Sequence, residues 1–560
     1  MFLNIAKKGV KLPNLDKNIK CGNSLVENEK FAGDKAFNWK KEYPNVFDEG
    51  GFDIIVGNPP YIKENVNKNA FNGLRDSPYY QGKMDIWTFF GCIALDLIKE
   101  NGLIGFIAPN NWITNAGASK FRNKVNEEAE IKIFKDFGNY KVFESANIQT
   151  MIYIMSKNNK KNEYQIKYSL LKKEKIEDKH LLLNFLNSNI TDDGMISFKS
   201  IYNRKENENS YLNFIDEKET KILNKIKSND DIYYLNKNEI STGIDVHQDF
   251  LNKKGANLID LPIGSGIFVI NHNEKINLNL SKSELELIKP YYTTNEIHKY
   301  YIEENHKYWV IYTKSNINEH INNYPNLKQH FDLYSKVITS DNKPYGLHRA
   351  RNENIFKNEK IIVTRKCTTP TFSYANYDTY VSQTFNVIKT DRFNLKIILG
   401  ILNSKLIKFW LKNKGKMQGN NYQLDKEPLL NIPLKYRENE LTNSIKQNVI
   451  NLLNDTKSLF EESNGFNKWL KRTFSQNIEI INYYDLTFNE FLDELKKNNL
   501  KIKDRKTQEL LEKEFNNSLE VIIPLKAEIE RLEEEINQKV YKLYELTPEE
   551  IKIVEDALNC

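Results

Sequence analysis

The chain has 560 residues, 28% of them charged and 40% hydrophobic, both spread along its length. That composition excludes a disordered or fibrous protein and, at roughly 150 residues per unit, allows three or four folded units. Lys and Arg number 81 against 75 Asp and Glu, so the net charge of +6 permits a nucleic-acid partner without demanding one. Cys21, Cys92, Cys367 and Cys560 lie too far apart for a Cys-x-x-Cys metal or redox pair, and no metal site is expected. The first residues are too poor in apolar side chains for a signal peptide, and no apolar run is long enough for a membrane span. A cytoplasmic protein is expected.

From Asn18 to about Ser156 short apolar runs alternate with amphipathic stretches, the pattern of an α/β domain with a largely parallel sheet. Phe52–Gly57, Leu103–Ala108, Ile131–Phe137 and Thr150–Met155 are the predicted strands. Between the first two, Trp87, Phe90, Ala94, Leu97 and Ile98 recur at helical spacing, with Gly102 as the expected stop. Residues 161–235, rich in Lys, Asn and Glu, read as a connecting region with one or two helices. Residues 236–436 carry short aromatic and β-branched strands at Tyr308–Thr313, Lys360–Arg365 and Thr379–Ile388, which points to an α+β module. Residues 437–560 read as helical. Leu525, Ile529, Leu532, Ile536, Val540 and Leu543 step by three or four along one long helix, and Thr547-Pro548-Glu549-Glu550 starts a last short one.

The chemistry is concentrated in one motif. Phe52-Asp-Ile-Ile-Val-Gly57 reads as a strand, so Asn58-Pro59-Pro60-Tyr61 falls beyond its carboxyl end, where open α/β sheets keep their ligands. Two consecutive prolines remove two backbone donors and stiffen the turn, leaving carbonyl oxygens free to accept. An exocyclic amine on a base is a weak nucleophile because its lone pair is delocalised into the ring. The Asn58 side-chain oxygen and the Pro59 carbonyl are placed to accept its two hydrogens and turn the lone pair toward an incoming methyl group. Tyr61 offers a ring face for a base extruded from the duplex. An Asn-Pro-Pro-Tyr turn is also an ordinary rigid turn; the six residues before it make the chemical reading the stronger one.

With these residues the chain resembles the TaqI-like N6-adenine DNA methyltransferases, and more closely the methylase-plus-recognition portion of type IIG restriction-modification enzymes. The resemblance implies a partial class I methyltransferase (Rossmann-like) sheet over residues 1–160, the carboxyl-terminal half of the catalytic domain. The connecting region 161–235, an α+β target-recognition domain over 236–436 and a helical region over 437–560 follow. It implies S-adenosylmethionine as methyl donor and double-stranded DNA as partner. Ile19-Lys-Cys-Gly-Asn-Ser-Leu25 resembles the motif in which an Asp contacts the cofactor; Asn23 stands there instead. Val142-Phe143-Glu144 resembles the motif whose Phe packs on the flipped adenine, which makes Phe143 a second base-stacking ring.

In the recognition domain, Lys343, Arg349, Arg351, Arg365, Lys366 and Lys416 are candidate DNA-binding cations, and Gln418 and Asn421 candidate base readers. Tyr541–Glu550 resembles the ending of many type IIG chains. The family's Gly-rich cofactor turn is not found ahead of Asn23, and Gly264 and Gly266 within Asp260–Phe268 read as a tight turn rather than a substitute. The expectation is therefore an amino-terminally truncated enzyme, inactive alone, partnered by an upstream-encoded polypeptide that carries the cofactor loop and any nuclease. The rival readings are a non-catalytic DNA-specificity subunit or remnant, and a methyltransferase acting on glutamine or on guanine in RNA. A cytosine C5 enzyme is excluded, since no Pro-Cys nucleophile occurs.

Overall fold

The computed structural model describes residues 17–143, 148–176, 179–188, 194–209, 211–228, 230–418, 421–500, 502 and 504–559. It divides into two compact units, Met1–Lys221 and Ile222–Cys560, and each is described by itself.

The first unit is built on a six-stranded mixed sheet. Its strands are β1 (Phe52–Gly57), β2 (Ile98–Pro109), β3 (Ala129–Asp136), β4 (Thr150–Lys157), β5 (Glu163–Leu171) and β6 (Met195–Asn203), in the spatial order β1-β2-β4-β3-β5-β6. β1 and β2 run parallel, as do β3 and β5, whereas β4 runs antiparallel to both of its neighbours. The carboxyl ends of β1, β2 and β3 and the amino end of β4 therefore share one edge. The four predicted strands are β1 to β4. β5 and β6 lie in the stretch read from sequence as connecting region, and they extend the same sheet by pairing on β3.

Helix α1 (Trp87–Leu97) buries Trp87, Phe89, Cys92, Ala94 and Leu95. Gly91 lets it approach α2 (Ser119–Glu128), because a Cβ there would lie 2.5 Å from the Phe121 ring. Trp87, Trp112, Phe121 and Tyr153 form the aromatic centre of this core. Two local readings are corrected. Ile98 leaves the helix and begins β2, and Gly102 lies inside β2 rather than stopping α1. It sits at the jog where pairing jumps from Phe52↔Ile98 to Ile54↔Leu103, and a Cβ on it would meet the Ile98 side chain at 2.5 Å.

The stretch around Ile19–Leu25 holds no strand; Asn23 makes one isolated bridge to Ala36. Residues after it are held by aromatic packing. Trp39, Tyr43 and Phe47 surround the Phe52 ring at 5.9, 5.6 and 5.9 Å, and the Trp39 indole donates to the Ser24 carbonyl at 3.0 Å.

The second unit combines small sheets with long helices. A five-stranded sheet centres on Lys360–Thr364 between Phe372–Ala375 and Phe385–Ile388, and a four-stranded one contains Ile288–Tyr292 and Tyr308–Ile311. Tyr308–Ile311 and Lys360–Thr364 fall on predicted strands, whereas the predicted strand Thr379–Ile388 divides into Tyr380–Val381 in the four-stranded sheet and Phe385–Ile388 in the five-stranded one. Helices α3 (Glu440–Phe474) and α4 (Arg505–Leu543) run alongside each other, and the predicted stripe is the packed face of α4, with Leu532, Ile536 and Val540 at most 1% exposed. Thr547 and Glu550 exchange reciprocal bonds of 2.8 and 3.3 Å and so start the last helix, α5 (Pro548–Asn559). Gly264, at φ +89°, and Gly266, whose N–H donates to Glu274 at 2.8 Å, form a tight turn. Among the described residues no helix is long and apolar enough to cross a membrane.

Candidate active site and nucleic-acid interface

At the shared edge, Asn58-Pro59-Pro60-Tyr61 leaves β1 directly. Pro59 is buried, Asn58 and Pro60 are exposed, and Tyr61 is half-buried against the core of the first unit. Among the described residues no hydrogen bond is donated to the Pro59 carbonyl. The turn is braced by Tyr61. Its hydroxyl lies 2.8 Å from Asn58 Oδ1 and 3.1 Å from the Ile107 carbonyl of β2. A phenol has one proton, so it donates to one of these acceptors at a time. Burial, and secondarily the Asp85 carboxylate, push the Tyr61 phenol up to about 12, which keeps that proton in place.

Asp85 is buried and precedes α1; burial raises its carboxyl above the usual range, against hydrogen bonds from the Trp87, Ile62 and Ile86 backbone. The Ile86 N–H donates to the Ile62 carbonyl at 2.9 Å, and Lys63 bridges Asp85, so the segment after the motif is stitched to the entry of α1. Gly117 packs under this stitch, where a Cβ would lie 2.1 Å from the Lys83 carbonyl oxygen.

Phe143 comes to the same place from the loop after β3. Its ring centroid is 6.3 Å from that of Tyr61, with the planes at 59°. The loop is anchored at its start by Asp136, whose carboxylate accepts from Asn110 at 3.0 Å and from the Gly138 N–H at 2.9 Å; burial nevertheless raises its pKa. Sequence patterns gave no sign of the Asn110–Asp136 pair, because its members are 26 residues apart. Glu144 of the same motif lies outside the described residues.

Asn23 is exposed, and its side-chain oxygen accepts from the Leu25 N–H at 3.3 Å. Beside β1 runs a groove of about 420 Å³, lined by Leu25, Trp39, Phe52, Ile54, Val56, Phe90, Ile93, Leu97 and Phe106 and ending at Gly57–Pro60. No acidic side chain lines it.

The candidate DNA-binding residues all belong to the second unit. Lys343, Arg349 and Lys366 are exposed and, among the described residues, their side chains have no partner. Arg351 is half-buried at φ +71° and donates through Nε to the Gly243 carbonyl at 3.1 Å. Burial, with Arg349 and Arg365, lowers its pKa against the opposing Asp245 carboxylate. Arg365 is committed to the fold, with bonds of 2.7 and 3.3 Å to Asp425 and 2.9 Å to the Gln383 carbonyl. Lys416 lies 3.8 Å from the same Asp425. Asn421 pairs through its backbone with Gln418 across a two-stranded turn, and the tip of that turn, with the Gln418 side chain, lies outside the described residues.

Comparison with known proteins bears on both regions. Residues 1–143 match the family of Eco57I restriction-modification methylases, and residues 289–434 match the TaqI-like C-terminal specificity domain. Along its length the chain is thus similar first to Eco57I-type methylases and then to TaqI-like specificity domains. Residues 438–540 match a domain of unknown function. Among its relatives is the type II restriction enzyme and methyltransferase RM.Eco57I of Escherichia coli, 25% identical over 455 residues, 72% of this chain and 42% of that one. The type II methyltransferase M.HincII of Haemophilus influenzae is 22% identical over 75% of this chain and 82% of its own length. The chain thus spans less than half the length of the Escherichia coli relative. Of solved structures, the type IIL restriction-modification enzyme MmeI in complex with DNA aligns at 11% identity over 90% of this chain and 59% of that one, with a TM-score of 0.45.

Proposed function

We propose that this chain is the base-handling and DNA-recognising part of a site-specific DNA methyltransferase that modifies adenine at N6 in a restriction-modification system. The observation that carries the reading is the pair of acceptors at the end of β1: the Asn58 amide, on an exposed residue and braced by Tyr61, and the Pro59 carbonyl, to which no hydrogen bond is donated among the described residues.

The base amine offers two hydrogens, and the two acceptors take one each. As the amine loses conjugation, its lone pair turns out of the ring plane and positive charge builds on nitrogen, which both oxygens stabilise. No strong base is required. The Tyr61 hydroxyl aims the amide. When it donates to the Ile107 carbonyl, its own oxygen accepts from Asn58 Nδ2, and the amide oxygen is released toward the base. The two ends of an amide are nearly equal in size, so this half-turn meets no steric barrier of its own. With Tyr61 and Phe143 tilted at 59°, a base stacked on one ring meets the edge of the other, a favourable aromatic geometry.

S-adenosylmethionine is the donor this chemistry calls for, but the residues described do not fit it. Asn23, the candidate contact, has its oxygen engaged by Leu25, and the groove beside β1 offers apolar walls with no carboxylate for ribose hydroxyls. No step is therefore assigned to the cofactor here. Its binding elements are expected outside the described residues.

Residues 236–436 act as the target-recognition domain on duplex DNA. The exposed Lys343, Arg349 and Lys366 are assigned to phosphates, and Arg351, Gln418 and Asn421 to the reading of base edges. Arg365 and Lys416 hold the domain's own framework through Asp425. That no cofactor cradle is found among the described residues favours one alternative, a specificity subunit that binds DNA without catalysis. Incubating the chain and its upstream partner with labelled S-adenosylmethionine and duplex DNA, then quantifying modified nucleosides, separates the readings. The proposal predicts N6-methyladenine in DNA; label in RNA or protein, or DNA binding without label, refutes it.

A further inference from the structure

In the five-stranded sheet of the second unit, the strands Ile240–Thr242, Phe385–Ile388 and Lys360–Thr364 lie side by side and pair antiparallel, Thr242 against Asn386 and Thr364 against Phe385. The ends at Thr242, Phe385 and Thr364 therefore share one edge, and the turns leaving them are fastened together there. The Gln383 N–H donates to the Ile244 carbonyl at 2.7 Å, and the Gln383 carbonyl accepts from the Arg365 guanidinium at 2.9 Å. Gly243 packs so closely on this turn that a Cβ would lie 2.1 Å from the Ser382 carbonyl oxygen, and its own carbonyl holds Arg351 through Nε. Arg351 stands at φ +71°, a conformation that an arginine keeps only where its surroundings impose it. The Arg365 carbonyl accepts from the Leu424 N–H at 2.7 Å and Lys366 pairs with Gln423, so the hairpin of Gln418 and Asn421 is joined to the same edge.

Both backbone groups of Gln383 are thus spent on the fold, while the residue is exposed and, among the described residues, its side-chain amide has no partner. With the backbone fixed beforehand, only side-chain rotamers remain to be ordered when that amide meets a ligand. Resting on the function proposed above, we infer that Gln383 is a specificity-determining residue whose amide reads one adenine of the recognition sequence from the major groove. The oxygen accepts from the adenine N6 amine and the NH2 donates to N7. An amide presents one donor and one acceptor side by side, which is the pattern adenine shows; guanine shows two acceptors there, and an amide satisfies only one of them. A phosphate is the poorer partner, because the amide carries no charge and the exposed Arg349 and Lys366 supply that contact. No local motif marks Gln383, since what fixes it comes from Ile244 and Arg365, far away in the chain.

The test uses the full chain and a pool of random-sequence duplexes from which bound DNA is recovered and sequenced. The wild-type chain is expected to select a defined sequence. At one adenine in it, Gln383→Ala is expected to relax discrimination by roughly 5- to 150-fold, with the other positions, the salt slope and the melting temperature unchanged. Replacing that adenine by 7-deazaadenine, which lacks the N7 acceptor, is expected to weaken binding by the wild-type chain and to leave binding by Gln383→Ala as it was. A side chain that only shaped the turn would not produce that difference. Selection of the wild-type sequence by Gln383→Ala, selectivity lost at every position together with a lowered melting temperature, or equal sensitivity of both chains to 7-deazaadenine would each overturn the inference alone. A wild-type chain that selects no sequence would overturn it together with the recognition role of residues 236–436. Selection that depends on Gln383 as described, in a protein that methylates no adenine, would leave the reader standing and reject the methyltransferase function.

Discussion

Replacing Tyr61 by Phe removes one oxygen atom and keeps the ring, and so isolates the aiming role of the hydroxyl. In the structure that oxygen is 2.8 Å from the Asn58 amide and 3.1 Å from the Ile107 carbonyl. A neutral hydrogen bond of this kind contributes about 0.5–1.5 kcal/mol net, which corresponds to roughly 2- to 13-fold in the population of the correctly turned amide. Since the amide acts as the amine rehybridises, the loss is expected in kcat, by that factor, with KM for DNA unchanged. Tyr61→Ala also removes the stacking face, worth a further ~1–3 kcal/mol, and is expected to weaken base capture too. Initial rates of methyl transfer by the reconstituted enzyme, paired with 2-aminopurine fluorescence at the target position, separate the two effects. The pH profile gives a second check. With the phenol pushed up to about 12, no loss of rate from its ionisation is expected below about pH 11 in the wild type. A Tyr61→Phe enzyme with wild-type kcat, or one whose whole defect lies in KM, would refute the aiming role.

Gly117→Ala forces a Cβ to within 2.1 Å of the Lys83 carbonyl oxygen, so the stitch beside Asp85 must move. Overpacking of this sort costs about 1–3 kcal/mol, and a fall of roughly 2–12 °C in the melting temperature of the first unit is expected by calorimetry, with lowered methyl transfer. In the specificity domain, Arg349→Ala and Lys366→Ala are expected to weaken DNA binding and each to reduce the salt slope by about one, while leaving stability intact. Arg365→Ala is expected to lower stability instead, because it strips partners from Asp425 and the Gln383 carbonyl; circular dichroism melts and binding isotherms across salt check both. Lys360 is fully buried, with its ammonium bonded to the Asn358 and Tyr377 carbonyls, and burial brings its pKa down to about 7 from 10.5. The unfolded chain therefore holds a proton that the folded chain has released, and stability contributed by this group rises as pH goes from about 7 toward 10.5. Between pH 7.5 and 9 the melting temperature is expected to rise more in the wild type than in Lys360→Met; parallel profiles would contradict this.

The strand β1 and the turn after it were legible in the sequence because their signals are local. An apolar run ending in Gly57, then two prolines, fixes both β1 and the turn, and the periodicity of α4 is equally self-contained. What escaped reading depends on distant partners. β5 and β6 are polar on alternate residues and pair with β3 and each other, so their Lys- and Asn-rich composition masked two strands. Gly102 looked like a helix stop because the jog between β1 and β2 cannot be seen without both strands. Among the candidate DNA cations nothing local distinguishes Arg365, spent on Asp425 sixty residues away, from the exposed Arg349. The Ile107 carbonyl, which anchors Tyr61, is a backbone atom and leaves no mark in the sequence at all.

The central claim is that the Asn58 amide accepts a hydrogen from an extruded adenine's amine. Single-turnover methyl transfer by the reconstituted enzyme, wild type against Asn58→Ala, measures it most directly. The account predicts at least about a hundredfold slower formation of N6-methyladenine with DNA affinity unchanged. A variant that methylates adenine within twofold of the wild-type rate would contradict it.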